Sequence, residues 1–213
     1  MLTALWGLTV NPPDGGRDLS FISVLADCPS LTQVFLNGCT ELSDLSALVA
    51  VSRLTRIAMN GAKRLRDLRA LTGLPDLKWL HISDAQLPGG LVAVTPVMDQ
   101  LEELGVWSVS TATSFDALAG SSLQVVKLAD CPATDLAPLA TLLSLKQVGL
   151  QRFPGVNLAP LAGLPHLREL NLTDIDEPVD LSPFAQIHHR LRVELWNTST
   201  VGTAGPRVKI RQR

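Results

Sequence analysis

Few residues in this sequence could carry a reaction. Four histidines, three cysteines and twenty acidic side chains are the groups with useful chemistry. Cys39 and Cys131 stand 92 residues apart with no histidine at matching spacing, which does not describe a metal pair. Both read as small core residues, and with Cys28 they read as reduced thiols, since three cysteines do not make a disulfide framework. His188-His189 has no acidic or cysteine partner in register, and His166 and this pair fall in turns. No phosphate-binding G-x-x-x-x-G-K-[ST] loop and no G-x-S-x-G nucleophile turn occurs, and no spacing of Ser, His and Asp singles out a triad. Gly15-Gly16, after Pro12-Pro13-Asp14, is turn chemistry. The expectation is no catalytic residue, no metal and no cofactor. What remains is the chemistry of contact: nine aromatic residues, with Trp79, His81 and Trp107 close together along the chain.

Positioning such groups is the task of the apolar scaffold. Of 213 residues, 39 are leucine, and the mean hydropathy is +0.23. Charged residues amount to 18% with a net charge of −2, so neither disorder nor a strongly basic nucleic-acid binder is described. Polar residues interrupt every leucine-rich stretch before the roughly 18 apolar residues of a membrane span are reached. The pattern L-x-x-(L/V/I)-x-L begins at Leu31, Leu54, Leu77, Leu101, Leu123, Leu145 and Leu167, with a degenerate copy at Leu191. Successive starts lie 23, 23, 24, 22, 22, 22 and 24 residues apart, and an imperfect copy, Leu5-Leu8-Val10, precedes them. A period in this range means stacked units that share one core.

Each unit has two halves. The first alternates apolar and polar residues at period two, the pattern of a short strand. The second reads D-L-x-x-L-x-x-L, as at Asp44-Leu45, Asp67-Leu68, Asp135-Leu136 and Asp180-Leu181, with Asn157-Leu158 as a variant. Asp or Asn there predicts a cap on a short helical turn, and Pro138, Pro160 and Pro183 fall in its first turn. Leucines three apart suit a 3₁₀-like return. The fourth unit, with Pro88-Gly89-Gly90, and the fifth, which lacks the D-L pair, predict an irregular return.

These units resemble the leucine-rich repeat, and the D-L-x-P-L return resembles the subclass found in internalins and phosphatase-regulator repeats. The resemblance implies an α/β solenoid: a curved parallel sheet on the concave face, with 3₁₀ or short α turns on the convex face. We assign residues 1–196 to the solenoid and 197–213 to a C-terminal capping segment or basic tail. The last residues read as a strand pairing back on Arg192–Trp196. The column where the family often carries a hydrogen-bonding asparagine reads Cys39, Ala62, Ala85, Val109, Cys131, Phe153 and Ile175, so a side-chain ladder is not expected there.

If the anchor residues point inward, their neighbours form three outward columns. One runs Gln33, Arg56, Trp79, Glu103, Val125, Gln147, Glu169. The next runs Phe35, Ala58, His81, Gly105, Lys127, Gly149, Asn171. The third runs Asn37, Asn60, Ser83, Trp107, Ala129, Gln151, Thr173. Phe35, Arg56, Trp79, His81, Glu103, Trp107 and Lys127 are the expected partner-binding residues. The bland alternative for the aromatics is that they lie flat and seal the sheet. Mixed charge on this face argues against nucleic acid. The expected partner is a protein, and neither nucleic acid nor a membrane is expected.

The D-L-x-P-L-A-x-L and L-x-x-C phrases also resemble the C-terminal repeats of bacterial NACHT-type signalling ATPases. That resemblance implies a non-catalytic sensor module, cytoplasmic, within a larger signalling or defence protein. The start of the chain, close to the repeat pattern, reads as a strand rather than a signal peptide and suggests a C-terminal portion of such a protein. The alternatives are a secreted or surface adhesin of the internalin kind, or a substrate-presenting module of a multidomain enzyme.

Overall fold

The structure, a computed structural model, describes residues 5–12, 14–17 and 19–213. The first four residues of the expected solenoid lie outside this set. Short strands follow one another at the expected period: β1 (Gly7–Val10), β2 (Gln33–Leu36), β3 (Arg56–Asn60), β4 (Trp79–Ser83), β5 (Glu103–Trp107), β6 (Val125–Ala129), β7 (Gln147–Gln151) and β8 (Glu169–Thr173). β9 (Val179–Asp180), β10 (Leu191–Trp196), β11 (Thr200–Val201) and β12 (Val208–Gln212) complete the series. Ten of them form one sheet in the order β1-β2-β3-β4-β5-β6-β7-β8-β10-β12, and β9 pairs with β11 separately. All these pairings are parallel. Architecturally this is an α/β solenoid of strand and helical return.

Alternation decides which way each side chain faces. Val34, Ile57, Leu80, Leu104, Val126, Val148 and Leu170 stand in one row of Cα partners and are all buried, as are Leu36, Met59, Ile82, Val106, Leu128, Leu150 and Leu172. Leucines of the returns, such as Leu45 and Leu48 or Leu136 and Leu139, close the same core from the opposite side. No single unit could hide these side chains, so each repeat is stable only against its neighbours.

The returns are 3₁₀ turns, because leucines three apart share one face at three residues per turn. Five of them begin with a side-chain oxygen that accepts the amide two residues on. Asp44, Asp67, Asp135 and Asp180 accept from Ser46, Arg69, Ala137 and Ser182 at 2.8 Å, and Asn157 accepts from Ala159 at 3.0 Å. Pro138, Pro160 and Pro183 occupy the first turn, where no amide is needed.

Of the two repeats expected to be irregular, the fifth keeps the pattern with other residues and the fourth departs from it. In the fifth, the Ser114 hydroxyl replaces the Asp carboxylate, accepting from the Asp116 amide at 3.0 Å, and buried Phe115 replaces the leucine. In the fourth, the return is an eleven-residue 3₁₀ helix, Gly90–Gln100. Gly90 has a φ of +62°, and a side chain there would overlap the Thr111 carbonyl, so glycine is what allows the two returns to approach.

The column of small residues behind the strands is buried throughout. Its hydrogen bonding is richer than expected. Thr198, which extends the column, accepts the Ile175 amide at 3.2 Å and donates to the Trp196 carbonyl at 2.9 Å. The Cys131 thiol donates to the Ala129 carbonyl at 3.4 Å and to the Val106 carbonyl at 3.9 Å. The Thr198 hydroxyl thus does at one position what asparagine would do.

Candidate binding site on the sheet face

The register places the expected partner-binding residues on five adjacent strands. Arg56, Trp79 and Glu103 are consecutive Cα partners in one column. Phe35, Ala58, His81, Gly105 and Lys127 follow in the next. Trp107 is in the third, opposite Ser83 and Ala129.

These side chains touch. Phe35 meets Trp79 edge to face at 6.1 Å between ring centres, past the small Ala58. Trp79 stacks on His81 at 3.4 Å, and His81 meets Trp107 at 4.5 Å and 62°. The Arg56 guanidinium lies 5.7 Å from the Trp79 ring centre, within cation–π range. Gly105 is the floor of this patch. A Cβ there would overlap the Trp107 ring and come within 2.6 Å of His81 Cδ2. Packing and exposure therefore coexist: the rings lie across the sheet, yet Phe35, Trp79, His81 and Trp107 all remain half-buried rather than covered. One residue of the third column departs from expectation. Ala129, in register between Trp107 and Gln151, is fully buried.

Charge is concentrated at Glu103. Its Oε1 accepts from His81 Nε2 at 3.0 Å and from Lys127 Nζ at 2.8 Å. Burial by itself would raise this carboxyl, but the His81 and Lys127 hydrogen bonds and the Lys127 charge outweigh it and hold it at about 2. Burial lowers His81 below its ordinary value, against the raising effect of Glu103, and the charges of Lys127 and Arg56 push it further down. At neutral pH the site is therefore a carboxylate bridging a neutral imidazole and an ammonium. Such a set holds the Glu103, His81 and Lys127 side chains to one another across three strands.

Two shallow cavities flank the rings. One, of about 170 Å³, lies beside Trp79 and Glu103, with Arg56, Lys78 and Gln124 on its walls. The other, of about 140 Å³, has Gly149 in its lining between Trp107, Lys127 and Asn171.

Other chemistry-bearing groups are dispersed. Cys28, Cys39 and Cys131 are free and buried, and burial pushes the Cys39 and Cys131 thiols up to about 11, where a thiolate is scarce. His166 and His188 are exposed and His189 is half-buried. Among the described residues no group of three His, Cys, Asp or Glu side chains could hold a metal ion.

A second polar feature had no sequence signal. Gly38, Gly61, Asp84, Ser108, Asp130, Arg152, Asp174 and Asn197, each just past a strand of the main sheet, have φ between +45° and +78°. Only two are glycine, although other residues adopt this region at some cost. Several are tied together: Asp130 accepts from Ser108 and is paired with Arg152, whose Nε lies 2.6 Å from Asp130 Oδ1. Asn197 donates to Asp174 at 3.1 Å. The Arg152 hydrogen bond and charge hold the Asp130 carboxyl below the usual range.

No protein-family model matches the chain, and no curated protein matches it in sequence. Solved structures match it in shape. An internalin (inlF) from Listeria monocytogenes superposes over 89% of this chain with a TM-score of 0.53 at 18% identity. TLR13, in complex with ssRNA13, matches over 91% with 0.57 at 15% identity. The plant peptide hormone receptor RGFR1, in complex with RGF2, matches over 93% with 0.50 at 15% identity. The fold is the leucine-rich repeat. This leucine-rich-repeat chain spans 65% of the internalin, 36% of the TLR13 chain and 31% of the RGFR1 chain.

Proposed function

We propose that this chain is a non-catalytic protein-binding module that holds its partner on the concave face of the sheet. The observation that carries this reading is the continuous patch of Phe35, Trp79, His81 and Trp107 flanked by Arg56, Glu103 and Lys127. Tryptophan in a half-buried cluster is the residue type that dominates binding energies at interfaces. Rings already held by one another lose little freedom when a partner arrives. Mixed charge around the rings favours a polypeptide over nucleic acid, whose phosphates call for one sign. The RGFR1 complex supports a polypeptide ligand for this fold, and the TLR13 complex makes RNA the alternative to be tested.

The finer reading is a sensor part of a larger cytoplasmic bacterial signalling or defence protein. Three free, buried thiols support a reducing compartment. An internalin-like surface adhesin is the second reading, favoured by the internalin likeness in fold. An upstream phosphate-loop domain in the same reading frame would support the first, and a secretion leader the second.

The test uses peptides selected from a random display library against the intact chain. Selected peptides should lose roughly tenfold or more in affinity with Trp107→Ala or Arg56→Glu, and little with Leu143→Ala, an exposed leucine just past the 3₁₀ turn of residues 137–141. Binders indifferent to both sheet-face variants, or an RNA oligonucleotide that displaces them, would overturn the reading.

A further inference from the structure

The cations of this chain are unevenly placed. Residues 190–213 hold six of the eighteen and one of the twenty acids, so that segment carries +5 and the rest −7. The parallel pairing of β10 with β12 folds this charge into one place. A groove of about 760 Å³ opens there, lined by Arg168, Arg190, Arg192, Arg207, Lys209 and a single acid, Glu169.

Four of those five cations lack internal partners among the described residues. Elsewhere along the sheet, Lys127 is bonded to Glu103, Lys146 to Gln124 at 2.7 Å, and Arg152 to Asp130. In the groove, Arg168 donates to the Pro165 and Leu167 carbonyls, while the side chains of Arg190, Arg192, Arg207 and Lys209 make no hydrogen bond or ion pair among the described residues. Glu169 stands beside Arg192 in register, but its carboxylate accepts from Gln147 and Asn171 instead. Arg192 and Lys209 are direct Cα partners on adjacent strands, and like charges so placed destabilise a sheet. Basic residues on β12 would discourage further strand addition at the edge. That role does not account for Arg192, in the strand inside it, or for Arg190 just before that strand.

We infer that this groove, built around the cross-strand pair Arg192 and Lys209, binds an acidic, Asp/Glu-rich segment of a protein partner. Three of its four unpartnered cations are arginine, whose planar fork matches a carboxylate with two parallel hydrogen bonds. The groove is too roomy for one small anion and suits several carboxylates on one chain. No aromatic ring lines it, so it offers no platform on which the bases of a single strand could stack. From β5 to β10 is four strand steps, about 19 Å, which some six extended residues span. One polypeptide could therefore touch both the aromatic patch and the groove. The choice of a protein over another polyanion rests on the protein-binding reading above.

The test measures fluorescence anisotropy of a labelled octaglutamate peptide on the full chain. Wild type should bind it, more weakly as salt rises, and Arg192→Gln/Lys209→Gln should lose roughly tenfold or more in affinity. Trp107→Ala should leave octaglutamate binding unchanged, which separates this groove from the aromatic patch. The double variant, relieved of repulsion, should melt no lower than wild type. If it does not fold, Arg190→Gln/Arg207→Gln takes its place with the same expected loss. Binding that is absent, or equal in wild type and the charge variant, would overturn the inference. So would an oligouridylate of equal length, or phosphatidylserine vesicles, that bind more tightly than the peptide.

Discussion

The indole of Trp107 lies over Gly105, two residues earlier on the same strand, where a side chain of any size would stand. His81 meets that ring from the neighbouring strand. The absence of one Cβ thus sets the orientation of the largest group on the sheet face. Gly105→Ala should displace Trp107 and His81 at a cost of about 1–3 kcal/mol. A near-ultraviolet circular dichroism change with intact far-ultraviolet signal should accompany it. An unaltered indole signal would show that the ring does not depend on the glycine.

Acid should weaken this face in two stages. His81 is held below 6.5, so the unfolded chain binds its proton first, and stability falls as pH drops below 6.5. Glu103 is held at about 2 against an ordinary 4.5, so its contribution is complete above 4.5 and is lost as pH falls from there towards 2. Urea denaturation across pH 7 to 3 should show both slopes. Glu103→Gln should shrink the lower one, leaving the share of Asp130 and the other lowered carboxyls. A His81 midpoint above 6.5, read by NMR, would contradict the stated order.

Asp67 accepts the Arg69 amide at the start of its return, and Asp67→Ala leaves that amide to solvent. The loss should be about 1 kcal/mol, with Asp67→Asn close to neutral. Equal losses for both variants would mean that the charge, and not the hydrogen bond, is what counts.

Arg152 combines a left-handed backbone with an ion pair to Asp130. Arg152→Ala keeps the unfavourable backbone and loses the pair, and should cost about 1 kcal/mol. Arg152→Gly loses the pair but relaxes the backbone, and should be the more stable of the two. The reverse order in thermal melts would show that the backbone carries no cost there.

β12 covers one edge of β10, whose Leu191, Val193 and Leu195 are buried. Deleting residues 206–213 should lower the melting midpoint by roughly 5 °C or more and promote association through the bared strand. An unchanged midpoint would sink the proposal that residues 197–213 cap the solenoid.

The columns of the sheet face were legible because strand periodicity and repeat length together fix register. Arg56 beside Trp79 beside Glu103 needs only counting. What Trp79 and Trp107 do with their rings was not legible, since stacking on His81 and over Gly105 depends on rotamers and on one missing side chain. Ser114-Phe115 and Thr198 were missed because they perform the jobs of Asp-Leu and Asn with different letters. The cationic groove was hidden for another reason. Arg192 and Lys209 are far apart in sequence, and only the parallel pairing of β10 with β12 makes them neighbours.

Each strand of the main sheet bonds only to those flanking it, so among the described residues no strand pairing links the first turn of the solenoid to the last. The molecule resembles a row of coupled units more than a closed body, and it should fray from its ends under mild denaturant. Trp79 and Trp107 sit midway, where hydrogen exchange should be slowest. Arg192 and Lys209 sit at one of those ends, so an acidic ligand there would act as a clasp, slowing exchange in the last strands before it altered the middle.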